Sequence, residues 1–321
     1  MVSESSIIFD RVDFSSILNR IRTATTVGIQ IPDGLKYYTS HISDFFRNAG
    51  FNVIVSGKPT YGACDIDLDL LSEVDYLLHF AHTKMVEMDR VIYIPYKVDY
   101  TIDTELLEKN IDERKISVIG TASYAWKFEE IKRDFEDAGF VVELKKGNGV
   151  EYPGQVLGCN YTCLRGLKSD AVIFIGDGDF HPIGAALITG KKVYAYSPLS
   201  SEFKTVNTSD FLKKRYLAIS KAMNSEKFGI VVSSKIGQKR LELAFKLQKL
   251  AFERGKKAEI IFMDEITPSM LDNFRFETYV NTACPRLTFD DFTKFSGRMI
   301  SPEEFEIVVG IRDIDDYGFN V

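Results

Sequence analysis

The residue types that most often carry chemistry are scarce in this chain, which has four cysteines and four histidines among 321 residues. No uninterrupted apolar run approaches the roughly 18 residues that a membrane-spanning helix needs. The opening segment, Met-Val-Ser-Glu-Ser-Ser-Ile-Ile-Phe-Asp, lacks the basic stretch followed by an apolar one that marks a secretory leader. These absences point to a cytoplasmic protein that makes no use of a membrane, and in that reducing setting the thiols are not expected to pair as disulfides. Positive charge is not in excess either: the net charge is −6, which gives no electrostatic reason to expect nucleic acid as a partner. Low-complexity linkers are also missing.

What is present is the ordinary balance of a globular protein, with 45 % apolar and 27 % charged residues. A chain this long exceeds one core, so two or three units of about 100 residues are expected. After a leading helix over Phe14 to Arg22, Val27 to Ile31 reads as a buried strand ending in the turn Pro32-Asp33-Gly34. Tyr38, Ile42, Phe45, Phe46 and Ala49 then share one helical face, which Gly50 closes. Strands follow at Phe51 to Val55, Tyr76 to Phe80 and Val91 to Ile94, with a short helix near Leu68 to Leu71. The same order returns at Ile116 to Ile119, with a helix from Phe128 to Ala138 ending at Gly139, and strands at Val141 to Leu144, Ala171 to Ile175 and Val193 to Tyr196. It returns again at Phe228 to Val232, with a helix bearing Leu241, Ala244, Phe245 and Phe252 before Gly255, and strands at Glu259 to Phe262, Thr278 to Asn281 and Phe305 to Val309.

Strands alternating with amphipathic helices imply parallel sheets with right-handed crossovers. The expected fold class is therefore α/β, with three doubly wound parallel-sheet domains arranged with pseudo-threefold symmetry around a central site. The domains are read as 1–100 carrying Cys64, 101–205 carrying Cys159 and 206–321 carrying Cys284. Junctions fall near 97–115 and 198–226, the second holding a helix around Phe211 to Ile219. The acidic end Arg312-Asp-Ile-Asp-Asp-Tyr reads as a solvated terminus. Most of the aromatic residues fall on core faces, and no aromatic cage is expected.

Cys64 and Cys159 follow the second strands of their units, and Cys284 follows the third strand of its own. All three leave the sheet edge where an open α/β fold keeps its ligands. Their wide separation matches no zinc ribbon, ferredoxin or thioredoxin pattern, so only tertiary structure could bring them together. The plain alternative is that each is a small buried hydrophobe. Three thiolates on a four-iron cube would leave one iron open to a substrate.

The flanks of these cysteines, with other segments, resemble one family in the same order: Ile-Pro-Asp-Gly-Leu, Tyr-Gly-Ala-Cys64, Val-Leu-Gly-Cys159, Ile-Gly-Asp-Gly-Asp-Phe-His-Pro, Ser-Lys-Ile-Gly-Gln and Asn-Thr-Ala-Cys284-Pro-Arg. That family is the archaeal diphthamide-biosynthesis enzyme, 2-(3-amino-3-carboxypropyl)histidine synthase, and the resemblance runs from about residue 25 to 310. It implies a homodimer of three-domain subunits, each holding a 4Fe-4S cluster on one cysteine from each domain. It further implies reductive cleavage of the Cγ–S bond of S-adenosylmethionine, using an electron donor, and addition of the 3-amino-3-carboxypropyl radical to C2 of a histidine on elongation factor 2. By their matching motifs Cys64, Cys159 and Cys284 take the ligand role. Cys163 departs from the pattern and competes with Cys159 for the middle position, where the Val-Leu-Gly prefix favours Cys159. The usual radical adenosylmethionine signature, three cysteines within about eight residues, is absent.

Other residues are candidates for the cofactor pocket. Asp33 and Gly34 sit where a helix amino terminus could receive a carboxylate or ribose, or form an ordinary turn. Gly176-Asp-Gly178 has His181 where a dinucleotide fingerprint would have its third glycine, so Gly178 could let backbone approach a ligand and His181 could hydrogen-bond substrate or orient the loop. Lys235, Gly237 and Gln238 stand at the first strand-to-helix turn of the third unit. Arg286, two residues past Cys284, could fork onto the methionine carboxylate or tune the potential of the site by its charge. His79 and His82 end a strand, where alternation places positions three apart on opposite faces. His82 could line the pocket, and His41 reads as surface or helix edge.

Three other functions compete with this reading: an auxiliary electron-delivering iron-sulfur subunit, a quinolinate-synthase-like dehydratase, and a scaffold with buried thiols or a structural zinc.

Overall fold

The computed structural model describes residues 12–318. Its framework is three sheets that repeat one strand order. In the first unit, helix α1 (Phe14–Arg20) precedes β1 (Thr26–Gln30), a 3-10 turn (Asp33–Tyr38), α2 (Thr39–Asn48), β2 (Asn52–Val55), α3 (Leu68–Glu73), β3 (Tyr76–Phe80) and β4 (Val91–Ile94), giving a parallel sheet ordered β2-β1-β3-β4. Val27 to Gln30 are all buried, as expected of a central parallel strand covered on both faces.

The second unit begins with α4 (Thr104–Asn110), β5 (Lys115–Gly120), α5 (Ala122–Ala125), α6 (Phe128–Asp137) and β6 (Val141–Glu143). It continues with β7 (Ala171–Ile175), α7 (Phe180–Thr189), β8 (Lys192–Ser197) and β9 (Glu202–Thr205), giving the order β6-β5-β7-β8-β9. Strand β9 runs antiparallel to β8 and was not foreseen; it is the return arm of a tight hairpin at the sheet edge. The helix α6 is amphipathic enough to dictate its own docking, since Phe128, Ile131 and Phe135 are fully buried along one face. Each such buried side chain contributes about 1.5–3 kcal/mol of transfer free energy.

The third unit comprises α8 (Ser209–Ala222), β10 (Lys227–Ser233), α9 (Leu241–Glu253), β11 (Lys257–Met263), α10 (Pro268–Asp272), β12 (Thr278–Asn281), α11 (Pro285–Phe289), β13 (Met299–Ile300) and α12 (Pro302–Val308), with sheet order β11-β10-β12-β13. Gly50, Gly139 and Gly255, which end the corresponding helices α2, α6 and α9, all have positive φ, the conformation that lets the chain leave a helix and return to the sheet.

Two readings of this unit need correction. The segment Phe305 to Val309 belongs to a helix and not to a strand, and the fourth strand is the two-residue β13. The reason is a capping box: Ser301 Oγ accepts from Glu304 N–H at 3.2 Å, Glu304 Oε2 accepts from Ser301 N–H at 2.8 Å, and Pro302 opens the helix. In α9 the buried face is Ala244, Leu247 and Ala251, whereas Phe245 and Phe252 point to solvent, 56 % and 55 % exposed.

A buried ion pair ties this unit together. Arg215 of α8, 1 % exposed, donates to Glu304 of α12 through Nε at 2.7 Å and Nη2 at 2.5 Å, and to the carbonyls of Thr288 and Met299 at 2.9 and 3.1 Å. The acidic end is pinned at its flanks, where Arg312 donates to Glu306 at 2.7 Å and Tyr317 Oη to Glu304 at 2.9 Å, while Asp313 to Asp315 between them are exposed, as expected of a solvated stretch. Among the described residues no helix is long and apolar enough to cross a membrane.

Candidate thiol-lined site

Cys64 lies in the loop after β2, in a turn closed by Asp65 N–H donating to the Gly62 carbonyl at 3.0 Å. Gln30, at the end of β1, holds that loop from behind. Its Nε2 donates to the Asp65 carbonyl at 2.6 Å, while its Oε1 accepts from Asp67 N–H at 3.1 Å and meets His79 Nδ1 at 3.0 Å. From the other side the third unit closes in. Gly237 N–H donates to the Cys64 carbonyl at 3.1 Å, and a Cβ at 237 would fall 2.5 Å from Cys64 Cβ, so only glycine fits there. Gln238 Nε2 donates to Cys64 Sγ at 3.2 Å.

This seam is fastened by a charge cluster. Lys235 Nζ, 7 % exposed, lies 2.9 Å from both Asp65 Oδ1 of the first unit and Glu265 Oε1 of its own. Tyr61 lays its ring 5.4 Å from the ammonium and donates its hydroxyl to Glu265 at 3.1 Å. Burial works against the charge on Lys235, but its two carboxylate partners outweigh it and the ammonium pKa is raised.

Cys159 sits at the tip of a two-residue turn, because Leu157 and Asn160 exchange backbone hydrogen bonds at 2.9 and 3.0 Å. Below the turn the buried Gln155 donates to Thr83 Oγ1 at 2.8 Å, fastening this loop to the first unit. Cys163, by contrast, packs at 3 % exposure among Val156, Tyr161, Leu164 and Phe174, and burial pushes its thiol up to about 12. The two cysteines thus stand in different surroundings, Cys159 at a turn tip and Cys163 in an apolar core.

Cys284 is the N-cap of α11, with Pro285 behind it and its carbonyl accepting from Asn281 Nδ2 at 2.8 Å. Cys64 feels the charges of Cys284 and Cys159, and Cys284 that of Cys159, so the three thiols, one from each unit, lie within electrostatic reach of one another. Burial raises all three thiols, Cys64 to about 11. Two have cationic neighbours, Arg240 acting on Cys159 and both Arg286 and Arg240 on Cys284.

Beside Cys64 and Cys284 opens a cavity of 390 Å³ between the first and third units, whose wall includes Lys235, Gln238, Arg286 and Asp264. Cys159 approaches from the second unit and is not part of that wall.

The other expected residues divide. Gln238 and Arg286 join the cavity. Arg286, however, directs its fork at Asp290, with Nε at 3.0 Å and Nη2 at 2.5 Å, and lies over the Phe180 ring. His181 is partly buried and stacked on Phe174 at 5.8 Å, and desolvation with the nearby Arg286 lowers its pKa to about 4. Asp33 is exposed in a six-residue 3-10 turn and pairs with Lys36 at 2.6 Å. Gly34 faces open space, and Gly178 serves a positive-φ turn at φ +80. The opposite-face expectation for His79 and His82 is wrong: the rings stack at 4.9 Å, because Ala81 at φ +65 breaks the strand alternation between them. Asp65, Glu265, Arg240 and Gln155 were missed. Asp65 alone carried a local signal, its adjacency to Cys64.

Fold and site together define a class: a three-unit α/β protein with one thiol of each unit gathered near one cavity, two of them in its wall. The family model for diphthamide synthesis proteins matches residues 31–318, and the chain belongs to that family. It is 36 % identical over 318 residues to the 2-(3-amino-3-carboxypropyl)histidine synthase of Pyrococcus horikoshii, covering 95 % of this chain and 92 % of the relative. It is 29 % identical to the synthase of Methanocaldococcus jannaschii over 87 % of this chain and 82 % of that one. With subunit 1 of the Schizosaccharomyces pombe synthase it shares 28 % identity over 89 % of this chain and 70 % of the relative. The crystal structure of Dph2 from Pyrococcus horikoshii with a 4Fe-4S cluster superposes with a TM-score of 0.89 at 35 % identity, covering 96 % of this chain and 93 % of that one.

Proposed function

We propose that this chain is a 2-(3-amino-3-carboxypropyl)histidine synthase, moving a 3-amino-3-carboxypropyl group from S-adenosylmethionine to C2 of a histidine on elongation factor 2 and releasing 5′-methylthioadenosine. The observation that carries this reading is that Cys64, Cys159 and Cys284, one per unit, lie within electrostatic reach of one another, with Cys64 and Cys284 in the wall of the 390 Å³ cavity. The donor set fits a 4Fe-4S cluster: three soft sulfurs from three directions, with the fourth cysteine packed away in an apolar core. When bound, such a cluster supplies one electron to the sulfonium and an open iron to orient it.

The chain's own residues do the remaining work. Ile266, Leu287 and Phe295 give the cavity a water-poor face, while Asp264 suits a cationic sulfonium amino acid. Gln238 and Gly237 hold Cys64, and the Asn281 bond holds the Cys284 carbonyl. A homodimer, an electron donor and a cytoplasmic setting belong to the same proposal.

The test is anaerobic reconstitution followed by reduction with dithionite in the presence of S-adenosylmethionine. The expected product is 5′-methylthioadenosine; 5′-deoxyadenosine would mean that a different bond breaks. Because the Schizosaccharomyces relative is named a subunit, an auxiliary role is the second reading. Cluster-loaded protein that reduces a partner yet leaves adenosylmethionine intact would establish it.

A further inference from the structure

The three thiols are not electrostatically equivalent. Cys159 has Arg240 beside it, and Cys284 has Arg286 and Arg240. The charges acting on Cys64 are those of the other two cysteines and of Asp65, all negative when ionised, and its favourable partner is the Gln238 amide. The positive charge of Lys235, the nearby candidate to balance them, is engaged at 2.9 Å by Asp65 and at 2.9 Å by Glu265, two carboxylates for one ammonium. An N–H donated to a thiolate sulfur draws electron density away from it and so stabilises the more reduced, more negative state of whatever metal group the sulfur binds.

Geometry makes this donor a fixed one. Gln238 is 8 % exposed. Its backbone N–H is tied to the Lys235 carbonyl at 2.9 Å, and its neighbour Gly237 is pressed against the Cys64 backbone. The turn that presents the amide is thus mounted on the ion cluster that spans the seam.

Resting on the function proposed above, we propose that Gln238 is a potential-setting residue: its Nε2–H···Sγ bond to Cys64 raises the reduction potential of the cluster held there, and Lys235 is the positioning residue that keeps the bond in register. The step affected is uptake of one electron from an external reductant, and no protein bond is made or broken.

The experiment is an anaerobic redox titration, read by electron paramagnetic resonance, of reconstituted wild-type protein, Gln238→Leu and Gln238→Asn. Leucine removes the donor and asparagine withdraws it by shortening the arm. Both variants are expected to load wild-type amounts of iron and sulfide and to be about tenfold less reduced at a fixed reductant potential, a shift of about 59 mV for one electron. Lys235→Met is expected to move the potential in the same direction. An unshifted potential in either iron-loaded Gln238 variant overturns the proposal. Failure of both to load iron would make Gln238 a retention residue and overturns it equally. Wild-type protein that binds no iron-sulfur cluster would instead sink the proposed function, so the two failures are told apart.

Discussion

Cys159 and Cys163 are close in sequence and chemically alike, yet one stands at the tip of a tight turn near two other thiols and the other fills an apolar core. Serine at 64, 159 or 284 should each abolish iron loading, measured as iron and sulfide content after anaerobic reconstitution. Cys163→Ser should load iron normally but unfold more easily, by about 1–3 kcal/mol for a hydroxyl placed in an apolar site, measured by urea denaturation. Gly237→Ala would drive a methyl into the Cys64 backbone, and overpacking of this kind costs about 1–3 kcal/mol. Its iron content should fall even though no ligand is changed. Acid should act through the buried His79 and the partly buried His82 and His181, whose pKa values desolvation lowers to about 3 for His79 and about 4 for His82 and His181. Unfolded, they titrate near 6.5, so stability is full above that pH and falls as the pH drops from 6.5 towards 4, where the unfolded chain binds more protons. Denaturation midpoints across that range should show the slope, and His181→Gln should make it shallower. The sequence marked His181 as special but not that its ring would stack on Phe174, which lies on the preceding strand β7.

At the scale of elements, the helices were easier to foresee than the last strand. The one-sided apolar faces of α2 and α6 and the glycines after them are local patterns, and local patterns survive into the fold. In Phe305 to Val309 the apolar residues suggested a strand, but the Ser-Pro-Glu-Glu just before them was the decisive signal, since its caps satisfy the first turn of a helix. Glu304 has a second partner that no local pattern shows, the buried Arg215 on α8. Removing one member of such a pair strands the other charge. Arg215→Met and Glu304→Gln should therefore each destabilise the protein by about 3–5 kcal/mol, while the double variant Arg215→Met with Glu304→Leu should recover much of that loss. Thermal and urea unfolding of the three variants provides the check. Because Arg215 also holds the Thr288 carbonyl on α11, iron retention in the single variants should weaken through Cys284.

At the scale of the molecule, three sheets of one strand order meet through polar seams: Lys235 with Asp65 between the third and first units, and Gln155 with Thr83 between the second and first. A cluster bound by a thiol from each unit would bind only the assembled state, so loading should raise the unfolding temperature and chelation of iron should lower it again, following mass action. Differential scanning calorimetry of apo and loaded protein tests this, and equal unfolding temperatures would show that the units do not share a ligand. Some of this architecture was determined by the sequence alone. The alternation of buried strands with amphipathic helices, the closing glycines and the placing of each cysteine beyond a strand end all follow from local periodicity and turn chemistry. Tertiary structure decided the rest: that Cys163 fills an apolar core while Cys159 does not, that Lys235 is shared between two carboxylates, and that Gln238 rests on a sulfur 174 positions away in the chain. The reason is physical. Periodicity reports how a segment sits against its own core, whereas the site is made of atoms from three cores, and their distances arise only when those cores dock.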